Sequence, residues 1–192
     1  LQASEIGTNT YSEVILALPG DTLKKHYSTL RTLVESDFST ISMYQLMCLP
    51  GTEFGSAKEI KKYDMTIRYR VIPRAFGSYR ILGKTLNLAE IEKICVANST
   101  LPYSDYLQCR RLNLVVNIFF NERVFDETIQ ALRWSGISVF DLLVRICEHT
   151  NSDSFENLAN RFITETESEL WEDRDALKSF VSKSGNIDKF ID

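Results

Sequence analysis

Basic charge, histidine and long apolar runs are scarce in this sequence, and each shortage closes off a class of function. Lys and Arg number 22 against 26 Asp and Glu, a net charge of −4, so no overall basic field is available to hold nucleic acid or an anionic membrane. The apolar run LVVNIFF (114–120) is far shorter than the roughly 18 residues a membrane span requires. The opening LQASEIGTNT has neither a basic nor an apolar leader region, and a secretory signal is not expected. The two histidines, His26 and His149, have no Cys or Asp at triad-like or metal-like spacing; His26 is expected on a partly exposed helix face. Cys48, Cys95, Cys109 and Cys147 fit neither a zinc site nor a short disulfide framework, which leaves reduced thiols and a cytoplasmic location as the expectation.

What is present is an ordinary globular composition, 44% hydrophobic and 25% charged, enough for a domain with a real core. Leu-Pro-Gly occurs twice, in LALPGDT (16–22) and in LMCLPGTE (46–53). Pro19 and Pro50 are one βα unit apart, since a strand, a turn, a helix and the return to the next parallel strand take about 30 residues. The short apolar run SEVILAL (12–18) reads as a strand buried on both faces. Asp21 or Thr22 then caps a helix, on which Leu23, Tyr27, Leu30 and Val34 recur at helical spacing. STISMYQLM (39–47) supplies the next strand, so 12–52 reads as one βαβ unit.

Beyond it, 56–64 reads as a short charged helix, and 65–84 as a strand or irregular hairpin around Pro73 and Gly77-Ser78. From Leu88 onward the pattern predicts helices: 89–98, one from near Pro102 through 106–120, Phe125–Trp134, Val139–His149, and acidic surface helices at the end. The organisation predicted is α/β: βα units over 1–64, an irregular connection over 65–87 and a helical region over 88–192. The first segment reads as a partial parallel (βα) barrel. Leu1 in place of a starting Met suggests the later part of a longer protein.

Ligands gather at the carboxyl ends of parallel strands, which is where both Leu-Pro-Gly turns lie. Glu13 enters the first strand and is either paired in the interior or solvated at the strand mouth. Gln45 poses the same question. Met43, Tyr44 and Met47 either wall a flat aromatic ligand or fill a core. Arg68, Arg70, Arg74 and Arg80, with Tyr63, Tyr69, Phe76 and Tyr79 between them, make a strip that could grip a phosphate, a carboxylate or RNA, or be a solvated sheet face. Gly83-Lys84-Thr85 lacks the spacing of a phosphate loop.

The wording around the two turns is more specific. Glu13-Val-Ile-Leu-Ala-Leu-Pro-Gly-Asp-Thr22 resembles the (D/E)-x-I-x-G-L-P-G-(E/D/Q)-T segment of radical S-adenosylmethionine enzymes. Ile41-Ser-Met-Tyr-Gln-Leu-Met-Cys-Leu-Pro-Gly-Thr52 is similar to their following strand. Residues 63–79, with V-I-P-R-x-F-G-x-Y, resemble members that carry an N-terminal cobalamin-binding domain. The resemblance implies a partial barrel that holds a 4Fe–4S cluster on a C-x-x-x-C-x-x-C loop and binds S-adenosylmethionine, from which a 5′-deoxyadenosyl radical is generated for a radical modification or methyl transfer, with cobalamin as a further cofactor. It implies that Glu13 hydrogen-bonds the cofactor ribose and that Ile15, Leu46 and Met47 line its adenine.

The cluster loop is missing from these 192 residues, and Ala17 stands where the family has glycine. The expectation is therefore a carboxyl-terminal segment, inactive alone, whose partners are the preceding part of the same polypeptide and a small-molecule substrate. Two other readings stay open: a small α/β enzyme using Glu13 and Arg74 on an anionic substrate, and a non-catalytic helical interaction module.

Overall fold

The computed structural model describes residues 10–36, 38–121, 123–148, 152–183 and 185–190. His149 lies outside the described residues. The first unit is the βαβ arrangement its spacing predicts. Strand β1 (Tyr11–Leu16) pairs in parallel with β2 (Thr40–Gln45), in a register that sets Glu13 opposite Ser42 and Ile15 opposite Tyr44. Helix α1 (Leu23–Glu35) connects them, capped by the Thr22 side chain, which accepts from the Lys25 N–H. Its buried residues His26, Leu30 and Val34 form one stripe at steps of four.

Both Leu-Pro-Gly segments are the same object. Asp21 N–H donates to Leu18 C=O at 2.9 Å and Thr52 N–H to Leu49 C=O at 3.2 Å, and Gly20 and Gly51 both have φ of 84°. Proline in the second position and a left-handed glycine in the third define a type II turn.

A short helix, α2 (Ala57–Lys62), follows, and then two long strands, β3 (Thr66–Ile81) and β4 (Lys84–Ala97), paired antiparallel. Two expectations are corrected here. Residues 89–98 are not a helix; nearly all belong to β4, and the expected boundary at 87/88 falls inside that strand. Its inner end, residues 94–97, is buried on both faces, so the apolar residues run together and lose the alternation that marks a strand. Pairing with β3 along its length decides the matter, helped by β-branched Ile91, Ile94 and Val96. The hairpin turn is not at Pro73 or Gly77 but at Leu82-Gly83. Pro73 sits where the register shifts between Val71 and Phe76, a bulge that tolerates its missing N–H.

Leu46 joins the two sheets: its N–H donates to Leu16 C=O at 3.0 Å and its C=O accepts from Cys95 N–H at 2.9 Å. Met47 bridges antiparallel to Ile94, and on the far side Tyr69 bridges to Trp171. The architecture is thus mixed α/β, with a two-stranded parallel and a two-stranded antiparallel sheet and no closed barrel among the described residues. The remaining elements are α3 (Tyr103–Val116), running into a π-helical turn at Asn117–Asn121, then α4 (Asp126–Trp134), α5 (Val139–Glu148), α6 (Asp153–Ser168) and α7 (Arg174–Ser182). Among the described residues, no helix is long and apolar enough to cross a membrane.

Three clusters form the core. The largest sets Val14 and Ile41 of the parallel sheet against Leu30, Leu112, Phe140 and Leu143 of α1, α3 and α5. A second gathers Leu16, Ala17, Leu46, Ile94 and Tyr106 where the two sheets meet, and a third packs Val71 against Leu177 and Val181 of α7. Among the described residues, helices cover only one side of β1. Val14 and Leu16 are buried, whereas Tyr11, Glu13 and Ile15 are exposed. A strand buried on both faces was expected, and the alternation corrects it.

Candidate functional site

The carboxyl end of β1 is shaped by one residue. Ala17 has φ of 71°, the left-handed region that costs a non-glycine residue roughly 1–2 kcal/mol. It turns the chain sharply into the Leu18–Asp21 turn, and its methyl is fully buried. Replacing Ala17 with glycine should therefore leave stability within about 0.5 kcal/mol, because relief of strain offsets the lost methyl contacts and the added chain entropy. The same change at Ala159, buried inside α6, should cost about 1 kcal/mol or more. Urea unfolding of the two variants gives the comparison.

The rim is held from outside by Asn98, just past β4. Its Nδ2 donates to Ala17 C=O at 2.9 Å, while its Oδ1 accepts from the N–H groups of Thr100 at 2.9 Å and Leu101 at 3.1 Å. The Thr100 hydroxyl donates to Asp21 C=O at 2.6 Å. Neither residue is flagged by the sequence pattern, because the hydrogen bonds span about eighty positions and 89–98 reads as helix. The only local signal is a turn-forming Asn-Ser-Thr triplet.

Beside this rim lies an open hollow of about 520 Å³, lined by Glu13, Ile15, Leu18, Pro19, Asp21 and Lys25 among others. Glu13 and Ile15 are alternate residues of β1 and share its open face. Ile15 is 43% exposed and its register partner Tyr44 is 51% exposed. Of the four residues singled out by the resemblance, Glu13 and Ile15 come together. Leu46 is buried in the core at the sheet junction, on account of its hydrogen bonds to both sheets. Met47 is partly exposed at that same junction. Met43 packs against the largest core cluster, whereas Tyr44 shares the open face with Ile15, together with Thr40 and Ser42.

Other candidates acquire structural roles. Gln45 is buried and accepts from Arg70 Nη2 at 2.7 Å. Arg70 also donates to Glu92 through Nε and to Glu169 at 2.8 Å through Nη1. Burial alone would lower the Arg70 pKa, but the Glu169 and Glu92 carboxylates outweigh it and hold the pKa above its ordinary value. Arg68 pairs with Glu172 at 3.0 Å. The basic strip is therefore divided: Arg68 and Arg70 are consumed internally, while Arg74 and Arg80 are exposed. Arg74 and Glu13 line separate hollows, so they do not meet around one substrate.

His26 is not partly exposed. It is 1% exposed, with Nε2 at 2.9 Å from Asn113 Oδ1. Burial lowers its pKa from 6.5, against the opposing effects of the Asn113 bond and the Asp21 charge, and the ring is neutral at pH 7.

The cysteines do not suit an iron–sulfur cluster. All four are buried and free, and burial pushes the thiols of Cys95 and Cys109 up to about 12, whereas a cluster ligand must be a thiolate. Among the described residues, no group of three His, Cys, Asp or Glu could hold a metal ion. Compared with protein-family models the sequence matches no family, and compared with curated proteins it finds no match.

Proposed function

We propose that these residues are the carboxyl-terminal part of a radical S-adenosylmethionine enzyme, with β1, α1 and β2 as a portion of its partial (βα) barrel. The observation that carries this reading is the constellation at β1. A carboxylate and an apolar side chain share the open face of a parallel strand, which ends in a left-handed residue where the resembling family has glycine. Glu13 would accept hydrogen bonds from ribose hydroxyls. Ile15 would lie against the adenine, with Tyr44 rather than Leu46 as its neighbour.

Among the described residues β1 has one unpaired edge, which fits the same reading. Thr10 and Leu16 turn their carbonyls toward β2, so by alternation the backbone groups of Tyr11, Glu13 and Ile15 point the other way. No strand pairs with those groups among the described residues, and in this reading the next barrel strand would. The cluster that would supply the electron has no ligands among these cysteines and belongs to another part of the polypeptide. The substrate is a small molecule that undergoes radical modification or methyl transfer.

The test is the polypeptide encoded by the whole gene, assayed under reducing conditions for 5′-deoxyadenosine released from S-adenosylmethionine. Glu13→Ala should raise KM for S-adenosylmethionine about 10- to 100-fold, the worth of a hydrogen bond to a charged group. Failure to form 5′-deoxyadenosine, or an upstream sequence without a C-x-x-x-C-x-x-C loop, would overturn the reading.

A further inference from the structure

Past the bulge at Pro73, β3 and β4 continue as a two-stranded ribbon whose amphipathicity is inverted. Residues directly opposite each other share a face. One face carries Arg80 opposite Thr85, Ser78 hydrogen-bonded to Asn87 at 2.7 Å, and Phe76 opposite Ala89. This polar face turns toward the body, where Phe76 and Ala89 pack near α7 and Asn87 Nδ2 donates to Lys183 C=O. The opposite face, pointing away, carries Tyr79 opposite Leu86 and Leu88 opposite Gly77, all exposed except the glycine. Ile81 extends it to the tip.

The tip sharpens the point. Leu82 and Gly83 form the two-residue turn, with φ of 49° and 76°, and Leu82 is 98% exposed. Positive φ at both positions is the type I′ pattern, in which asparagine, aspartate or glycine is favoured first. Leucine there is strained and fully wetted, so neither turn chemistry nor packing among the described residues accounts for it.

Charge identifies what could cover this surface. Between Arg74 and Ala89 the chain has three cations, Arg74, Arg80 and Lys84, and no acid, although the whole carries −4. Among the described residues, no ion pair engages Arg80 or Lys84. The order along the ribbon is Leu82 and Gly83 at the tip, then Ile81 opposite Lys84, Arg80 opposite Thr85 and Tyr79 opposite Leu86. The long stem of Lys84 lets its ammonium reach back from the level of Ile81. Tyr79 lies about 10 Å behind the tip at roughly 3.3 Å per strand residue. Amphipathic elements bury their apolar groups to a comparable depth at the headgroup boundary, with cations and aromatic rings at the level of the phosphates. An interface with a folded protein would centre its anchors on a face; here the apolar face is half-exposed along its length, and the fully exposed anchor, Leu82, stands at the tip beside the cations Arg80 and Lys84.

We propose that the β3–β4 ribbon is a peripheral docking element for an anionic lipid surface, inserting Ile81 and Leu82 while Arg80 and Lys84 meet the phosphates. It is a local site on an acidic protein and is independent of the cofactor reading. The 192-residue chain should cosediment with phosphatidylcholine–phosphatidylserine vesicles, weakly with pure phosphatidylcholine, and less as salt rises. Lys84→Ala should weaken binding about fivefold, and Leu82→Asn about tenfold or more.

The second variant also guards against misfolding, because asparagine before Gly83 suits the turn and should hold or raise Tm. Absence of binding to the anionic vesicles would overturn the proposal, as would binding that Leu82→Asn leaves unchanged. Self-association or capture of an acidic protein that depends on Leu82, without vesicle binding, would also overturn it and assign the ribbon to a protein partner.

Discussion

Replacing Arg70 with alanine should destabilise the chain by about 3–5 kcal/mol, the range for breaking a buried ion pair from one side. The guanidinium is largely buried and serves three elements at once: Gln45 at the end of β2, Glu92 on β4 and Glu169 at the end of α6. Its removal strands the Glu92 carboxylate, whose side chain is only 5% exposed, and leaves Gln45 without this donor. Glu169 is more open to water and should contribute less. A double variant, Arg70→Met with Glu92→Leu, should recover a large part of the loss, since it removes the charge as well as its partner. Urea unfolding of the three proteins tests this. A single-variant cost under about 1 kcal/mol would mean that water reaches Glu92 and that the cluster is not the clamp between sheet and helix described above.

Asn98→Ala should cost about 2–4 kcal/mol, on the scale of three buried hydrogen bonds at roughly 1 kcal/mol each plus a penalty for carbonyl and amide groups left bare. The loss is local as well as global. Ala17 C=O loses its partner at the strained residue that ends β1, so amide exchange should accelerate at Asp21 and Thr22 before the rest of the sheet is affected. Thr100→Ala, which removes one hydroxyl shared between Asp21 C=O and Asn98 Oδ1, should cost about 1 kcal/mol and mark the lower end of the scale. If Asn98→Ala unfolds the chain uniformly, with no early exchange at the rim, the residue is merely a turn former and not a fastener of the candidate site.

Much of this molecule was legible where its structure is local. The Leu-Pro-Gly pair predicts turns because proline and glycine dictate φ at successive positions, and both adopt the same type II geometry. The α1 stripe follows from spacing and the Thr22 cap, and the helices near 102, 126 and 139 from apolar spacing, all of which depend on neighbours within a few residues. The βαβ unit was legible because its length allows little else.

Strand β4 shows the opposite case. AEIEKICVA carries apolar residues at spacings compatible with a helix, and only hydrogen bonds to β3 and to Leu46 make it a strand. Arg70 looked like one member of a basic strip until partners from distant elements neutralised it. His26 looked exposed until Asn113, eighty-seven positions away, accepted a bond from its Nε2–H within the core.

At the candidate site the division is similar. The order of residues alone dictates that a carboxylate, an isoleucine and a turn follow one another at the end of a parallel strand. Only the tertiary structure decided that Glu13 and Ile15 share an open face, that Leu46 is turned into the core, and that Asn98 holds the rim. The reason is that side-chain alternation and turn type are properties of consecutive residues, whereas burial is decided by which elements arrive on the other side. For β1 helices arrive on one side alone among the described residues, and that leaves its carboxylate facing outward.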